Sequence, residues 1–303
     1  MTILVTGGAG FIGSHIVEHF QATHDVIILD TLRSGFRNNI APFRARFIEG
    51  SVTDRDLVND IMRGVDYVFH LAALVSVPES MERPEETVDI NVQGTLRILE
   101  AARRQKVKNV VISSSAAIYG NNPTVPKLET MLPEPRSPYA ITKLDDEYYA
   151  AMYAESFGQS AVCLRYFNVF GPRQNPRSQY AAAVPIFIDK CLRGEDLVIY
   201  GDGEQTRDFV YVKDIVAANV RASQAVTGGT YNIACGRSMT VNELAHTIIK
   251  ITGSTSRIVY APVRAGDVKH SPADTSRARA IGFTPGFTLE AGLRDTIDWF
   301  ETV

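Results

Sequence analysis

The chain has 303 residues, 45% hydrophobic and 21% charged, enough for a large buried core and long for one simple domain, so two lobes are expected. Its formal net charge of −3 and the lack of any Lys/Arg block argue against nucleic acid as a partner, and no apolar run approaches the ~18 residues of a membrane span. Three widely spaced cysteines (Cys163, Cys191, Cys235) lack the spacing of a zinc site or a disulfide framework, and the histidines lack metal-ligand spacing. Because the first strand begins at residue 2, no room is left for a signal peptide. These features predict a cytoplasmic protein with buried, reduced thiols, no metal, and neither a membrane nor a nucleic-acid partner.

In chain order, Thr2-Ile3-Leu4-Val5-Thr6 reads as a buried parallel strand, followed by Gly7, Gly10 and Gly13 in G-x-x-G-x-x-G spacing. An amphipathic segment from Ser14 to about Gln21 and a second apolar run, Val26 to Leu29, lead to Asp30. Strand, glycine turn, helix, strand and acid in that order form a dinucleotide-binding βαβ unit. A Cβ at Gly7 or Gly10 would hold a pyrophosphate off the backbone, Gly13 permits close helix–strand packing, and the helix N-terminus offers free N–H groups. Asp30 favours NAD, since its carboxylate accepts from a ribose 2′-OH and repels a 2′-phosphate; the nearby Arg33 leaves NADP as the minority alternative.

Strands follow at Arg46–Gly50, Tyr67–Leu71 and Asn109–Ile112, separated by helices over Asp54–Arg63, with Thr53 as N-cap, and from Pro84 to Gln105. Such alternation predicts an α/β fold, a doubly wound parallel sheet whose ligands lie at the carboxyl ends of the strands: Gly7, Asp30, Ser51, Leu71, Ala72, Ala73 and Ser113 to Ser115. His70 at a strand end reads as a packed, hydrogen-bonded imidazole. Ser137-Pro138-Tyr139 opens a helix with good capping chemistry that runs to about Phe157 and stops at Gly158, placing Tyr139 and Lys143 on one face. Y-x-x-x-K alone is common; here a hydroxyl triplet and a nicotinamide site precede it on the same sheet. After the strand Ala161–Arg165 the alternation loosens. A loop is read at Pro176–Tyr180, helices at Ala181–Leu192 and to about Ala225, strands at Phe209–Val212 and Thr230–Ile233, a capping box at Thr240 and Glu243, and a last helix from Thr288 to near Phe300. The expected division is residues 1–170 with about 208–235 as a Rossmann-type NAD-binding domain, and 171–207 with 236–303 as a smaller C-terminal substrate-binding lobe.

TGGAGFIGSH near the start, HLAA at 70–73, SSSAAIYG at 113–120, Tyr139…Lys143 and RYFNVFGP at 165–172 together resemble the extended short-chain dehydrogenase/reductases. GDGEQTRDFVYVKD at 201–214 and RAGDVKHSPAD at 264–274 narrow the resemblance to the NAD-dependent UDP-hexose 4-epimerases, over nearly the whole chain. The resemblance implies a catalytic set of Ser115, Tyr139 and Lys143. It extends the NAD contacts beyond the strand-end residues to Phe11, Ile12, Leu32, Arg33, Ser34, Gly35, Val52, Val75, Tyr166 and Val169. For a UDP-sugar it implies Ser115, Asn168, Ala183, Val184, Val198, Tyr200, Asp267 and Ser271, with Arg207 and Arg264 on the phosphates. One departure lies after strand three, where the family often has an acidic residue and this chain has Ser51-Val52.

By the same resemblance tyrosinate takes the sugar 4-OH proton while the C4 hydride leaves for NAD, and hydride returns to the other face of the 4-keto sugar. That requires a phenol whose pKa, ordinarily about 10, is lowered by Lys143 and the positive nicotinamide. Ser271 stands at a gatekeeper position where a Tyr restricts relatives to plain hexoses, which implies UDP-GlcNAc/UDP-GalNAc as well as UDP-Glc/UDP-Gal. The helices around Pro84–Gln105 and Ser137–Phe157 resemble those pairing two subunits in the family, so a homodimer is expected. The alternatives are a sugar-nucleotide dehydratase or decarboxylase and a non-catalytic dinucleotide sensor. The first needs an acid–base pair where this chain has Ala116-Ala117, and the second has no reason to keep Ser115, Tyr139 and Lys143 together.

Overall fold

The computed structural model describes residues 1–176, 182–225, 228–263 and 270–302, the side chains of His270 and Ser271 excepted. Its first part runs β1 (Thr2–Thr6), α1 (Phe11–Phe20), β2 (Asp25–Asp30), β3 (Arg46–Glu49), α2 (Arg55–Ile61), β4 (Tyr67–His70), α3 (Val77–Glu82), α4 (Pro84–Val88), α5 (Gly94–Gln105), β5 (Asn109–Ser115), α6 (Pro138–Phe157) and β6 (Ala161–Tyr166). There follow β7 (Asn168–Phe170), α7 (Ala183–Leu192), β8 (Leu197–Tyr200), β9 (Thr206–Arg207), β10 (Phe209–Tyr211), α8 (Val212–Ser223), β11 (Gly229–Ile233), β12 (Met239–Thr240), α9 (Val241–Thr252), β13 (Ile258–Ala261), β14 (His270–Ser271), α10 (Ser276–Ala280) and α11 (Leu289–Thr302).

The short β-branched runs form one sheet, in the order β11-β6-β5-β4-β1-β2-β3, with every neighbouring pair parallel. Such strands are buried on both faces, which is why their sequences are continuously apolar rather than alternating. One face is covered by α1 and α8, whose Ile16, Val17, Ile215 and Ala222 pack on Val5, Phe69 and Val111. The other is covered by α2, α5 and α6 through Val58, Ile98, Leu99 and Tyr153. Strand order reverses beside β1: Thr6 lies opposite Leu29 on one side and His70 on the other. That switch point opens a crevice at the strands' carboxyl ends. A third apolar cluster, from α7, α9, α11 and the strands β8 and β10, includes Phe187, Leu197, Tyr211, Leu244 and Leu293.

Several local expectations are corrected. Helix α1 starts at Phe11, so Gly13 lies inside it rather than before it. Asp54, not Thr53, caps α2, its carboxylate accepting from the amides of Asp56 and Leu57. Residues 84–105 are helical throughout but pass through a π turn at Asp89–Gln93. The strand expected at Phe209–Val212 ends at Tyr211, with Val212 opening α8. The expected loop at 177–180 and Ala181 lie outside the described residues. Ser137 caps α6 through the amide of Ala140, and Gly158 ends it at φ 67°, as the sequence implied. Cys163 and Cys191 are buried, Cys235 is half-buried, and all three are free thiols. No described helix is long and apolar enough to cross a membrane.

Candidate active site

A cleft of about 1070 Å³ lies along the carboxyl ends of β1, β2, β4 and β5. Its floor is the glycine turn. Gly7 has φ 69°, and a Cβ there would sit 2.8 Å from the amide nitrogen of Ala72; a Cβ on Gly13 would sit 2.2 Å from the Gly7 carbonyl. The turn is thus pressed against β4's end and against its own helix, which only hydrogen at these positions allows. Gly10 is less crowded, with only the Gly7 carbonyl near, at 3.1 Å. At the next strand end Asp30 accepts from the amides of Ala9 (3.0 Å) and Leu32 (2.8 Å) and still lines the cleft. Arg33 is held across the cleft's edge by Glu79 (2.7 Å) and Glu86. Its guanidinium charge is therefore already matched, which removes the anion-binding role that would have favoured a 2′-phosphate.

The far end of the cleft is chemical. Ser113, Ser114 and Ser115 end β5, and Tyr139 and Lys143 come from the first turns of α6. The hydroxyl of Ser115 accepts from the amide of Ala117 at 3.1 Å, which leaves its proton to donate elsewhere. Ser114 points away, donating to Glu147 (2.5 Å). Tyr139 is anchored through its backbone, its amide donating to Ser80 Oγ (3.2 Å). Tyr166 also lines the cleft, but its hydroxyl is engaged with Asn219 (3.1 Å) and burial pushes its ionisation up, so it does not compete as a base.

Behind the cleft runs a buried polar network. Because the Thr95 hydroxyl gives its proton to the Asn91 carbonyl (2.6 Å), it accepts from His70 Nε2–H (3.0 Å), and the other nitrogen of the neutral ring, Nδ1, accepts from the Thr6 hydroxyl (2.7 Å), which itself accepts from the Ala72 amide (3.2 Å). Burial first, then the charge of Lys143, lowers the imidazole to about 3, so it is a neutral spacer as expected. Asn91, within the π turn, donates to the Leu74 carbonyl (3.1 Å) and to Thr142 (2.9 Å) and accepts from the Leu74 amide (2.7 Å). It pins the loop after β4 to α6.

Most expected NAD residues meet in this cleft: Gly7, Gly10, Phe11, Ile12, Gly13, Asp30, Arg33, Ser34, Ser51, Val52, Leu71, Ala72, Ala73, Val75, Ser113, Tyr139, Lys143, Tyr166 and Val169. Leu32 and Gly35 are not on its wall; a Cβ on Gly35 would meet the Ala9 backbone at 2.8 Å, so that glycine serves the turn. The sequence reading missed Phe36, Thr53, Glu86, Asp89, Ile90 and Gln174, which also line it. For Asp89 and Ile90 the signal was hidden by the π turn, which redirects them from the expected helix face. Of the expected substrate residues Ser115 is in the cleft, while Val184 is core, 1% exposed. Asn168 donates to the Asp208 carbonyl (3.2 Å), and β14 pairs with β9 so that Ser271 lies opposite Arg207. Burial pushes the Asp208 carboxyl up to about 6 against the pull of backbone amides, Cys235 among them at 2.8 Å, so it fastens Arg207's strand to residues 235–237. Arg264 and Asp267 lie outside the described residues. Among the described residues no acidic, Cys or His cluster could hold a metal.

Residues 3–234 match the model of the NAD dependent epimerase/dehydratase family. The chain belongs to that family. A UDP-N-acetylglucosamine 4-epimerase from Methanobrevibacter ruminantium, solved in complex with UDP-N-acetylmuramic acid, superposes with a TM-score of 0.97 at 43% identity, covering 99% of this chain and 98% of that one. A UDP-glucose 4-epimerase from Thermotoga maritima, solved with UDP-glucose, gives 0.95 at 42%, covering 100% and 99%. The curated UDP-glucose 4-epimerase of Mycolicibacterium smegmatis is 37% identical over 309 residues, 99% of this chain and 98% of the relative. The cofactor of this family is NAD, and this epimerase-family cleft fits it. The Cβ-free turn can approach a pyrophosphate, the N-terminus of α1 faces the same space, and Asp30 stands where ribose hydroxyls need an acceptor.

Proposed function

We propose that the protein is a UDP-hexose 4-epimerase that works through a transient 4-keto sugar, on UDP-GlcNAc/UDP-GalNAc and on UDP-Glc/UDP-Gal. The observation carrying this reading is the meeting of Ser115, Tyr139 and Lys143 with the glycine turn and Asp30 in one cleft. Tyr139, ionised, removes the proton of the sugar 4-OH and later gives it back. Lys143, buried one helical turn further on, favours the phenolate by its charge, and Ser115 donates to O4 and holds it toward Tyr139. Bound NAD supplies the acceptor that takes the C4 hydride and returns it to the opposite face. Asn168, Ala183, Val198, Tyr200 and Asp267 shape the sugar and uridine subsites, and Arg207 and Arg264 take the two phosphates. Residues 1–170 and 208–235 hold NAD, and 171–207 and 236–303 hold the UDP-sugar. Ser271 leaves room for a 2-N-acetyl group.

The test is incubation of the purified protein, with no added cofactor, with UDP-glucose and with UDP-GlcNAc. Each equilibrates with its C4 epimer, and Tyr139→Phe abolishes both conversions while NAD stays bound. Unchanged sugars with wild type, or near wild-type turnover by the variant, would sink the reading. We further propose a homodimer. Met81, Val88, Ile141, Tyr148 and Met152 are exposed apolar side chains on the neighbouring helices α3, α4 and α6. A dimer mass by light scattering at micromolar concentration is expected, and a strictly monomeric mass refutes it.

A further inference from the structure

Asp146 sits three residues after Lys143, fully buried, its Oδ2 3.2 Å from the Lys143 ammonium. Nothing in Y-x-x-x-K chemistry requires an acid there. A carboxylate at that distance works against the lysine, because it cancels part of the positive field that favours phenolate. We infer that Asp146 is a positioning residue of the epimerase reaction, a buried counter-charge that fixes the Lys143 ammonium and limits how far it promotes ionisation of Tyr139. The inference rests on the roles of Tyr139 and Lys143 proposed above.

The surroundings single out this pair. From α6 itself, Glu147 is matched by a two-pronged bond to Arg165 of β6 (2.8 and 2.7 Å), and burial raises the half-buried Asp145 carboxyl. From β6, burial holds the Cys163 thiol protonated; from β4, His70 is neutral. From α5, the Thr95 hydroxyl, 2.6 Å from the Asn91 carbonyl, also borders Asp146 and helps to hold its charged form, while Asp146 Oδ1 is buried without a hydrogen bond. A buried carboxylate with one unsatisfied oxygen is costly to keep, so the opposite charge of Lys143, 3.2 Å away, holds it in place. Burial pushes the Asp146 carboxyl up to about 6 while Lys143 pulls it down. Above that pH the counter-charge is present, and below it the carboxyl is neutral and the ammonium stands uncompensated.

The experiment is the pH profile of kcat and KM for wild type, Asp146→Asn and Asp146→Glu, with UDP-glucose and UDP-GlcNAc. In Asp146→Asn the acidic limb of kcat moves to lower pH by on the order of half a unit, KM stays within about twofold, and Asp146→Glu restores the wild-type limb. In parallel, tyrosinate absorbance is titrated for each protein against its Tyr139→Phe counterpart, and ionisation of Tyr139 shifts in the same direction. If Asp146→Asn does not fold, the same two measurements are made on Asp146→Ser, with the same shift expected. A uniform fall in kcat with the limb unmoved, or a limb moved to higher pH, overturns the inference. If wild type turns over neither sugar, the proposed function fails, whereas the absorbance titration still decides the role of Asp146.

Discussion

At Gly13 the strongest constraint on the cofactor turn comes from within the protein. A methyl group there would lie 2.2 Å from the Gly7 carbonyl, a distance no relaxation of one side chain can relieve, since both partners are backbone. Gly13→Ala is therefore expected to displace the turn, lose bound NAD on purification, and lower stability by ~1–3 kcal/mol, the usual range for overpacking. Retention of NAD at wild-type stoichiometry, read by absorbance after denaturation, would contradict this. Asp30 presents the complementary case. Its carboxylate organises the turn through Ala9 and Leu32 before any ligand arrives, so the residue expected to read the ribose also shapes the cleft.

At the scale of elements, α6 is tied to the sheet by polar bonds as much as by packing. Glu147 accepts from Ser114 on β5 and twice from Arg165 on β6, and Arg165 also donates to Tyr119 (2.8 Å), which donates to Asn232 on β11 (2.6 Å). Glu147→Gln leaves the guanidinium buried against a neutral amide. Such broken pairs cost ~3–5 kcal/mol, so the urea midpoint should fall accordingly. A change below about 1 kcal/mol would show that the pair is not the anchor. Much of this helix could be read from the chain: Ser137, Pro138 and Gly158 mark its ends, and Tyr139 and Lys143 the face that meets the cleft. What could not be read are features set by partners distant in sequence. Strands β8 and β13 form by pairing with each other across some sixty residues of chain, so neither run announces itself locally. Asn91, Asp146 and the Glu79–Arg33–Glu86 bridge likewise acquire their roles only when separate elements meet. The glycine turn and strand ends were readable because backbone geometry alone dictates them.

The whole molecule's response to acid follows from groups that pull in opposite directions. His70 titrates at about 3 when folded and near 6.5 when unfolded, so from 6.5 downward the unfolded chain binds the extra proton and stability is lost. Asp146 and Asp208, at about 6 when folded and near 3.9 unfolded, bind extra protons in the folded state between those values, and stability is gained as pH falls through that window. Glu18 and Glu100, held near 2 by hydrogen bonds from His15 and Arg103 respectively, lose their contribution only below about 4.3. The melting temperature should therefore dip slightly between pH 6.5 and 6, hold or rise from there to about 4.5, where two carboxyls outweigh one imidazole, and drop steeply below 4. A steady decline beginning at pH 6.5 would mean that His70 dominates unopposed.

The π turn at Asp89–Gln93 works as a gear between two duties of one helix. Before it, Glu86 faces the cofactor cleft and grips Arg33; after it, Ile98, Leu99 and Ala102 seat against the sheet. An α-helix advances 100° per residue, and the wider turn takes up one extra residue over nearly the same arc, so the two halves keep a common phase while Asp89–Gln93 bulge outward. Excising a single residue there would close the segment into an unbroken α-helix with both halves in their seats, yet remove the bulge that turns Asp89 and Ile90 onto the cleft wall and Asn91 onto the loop after β4. The length of this helix, counted to the residue, is thus as much a part of the binding site as any side chain that touches it.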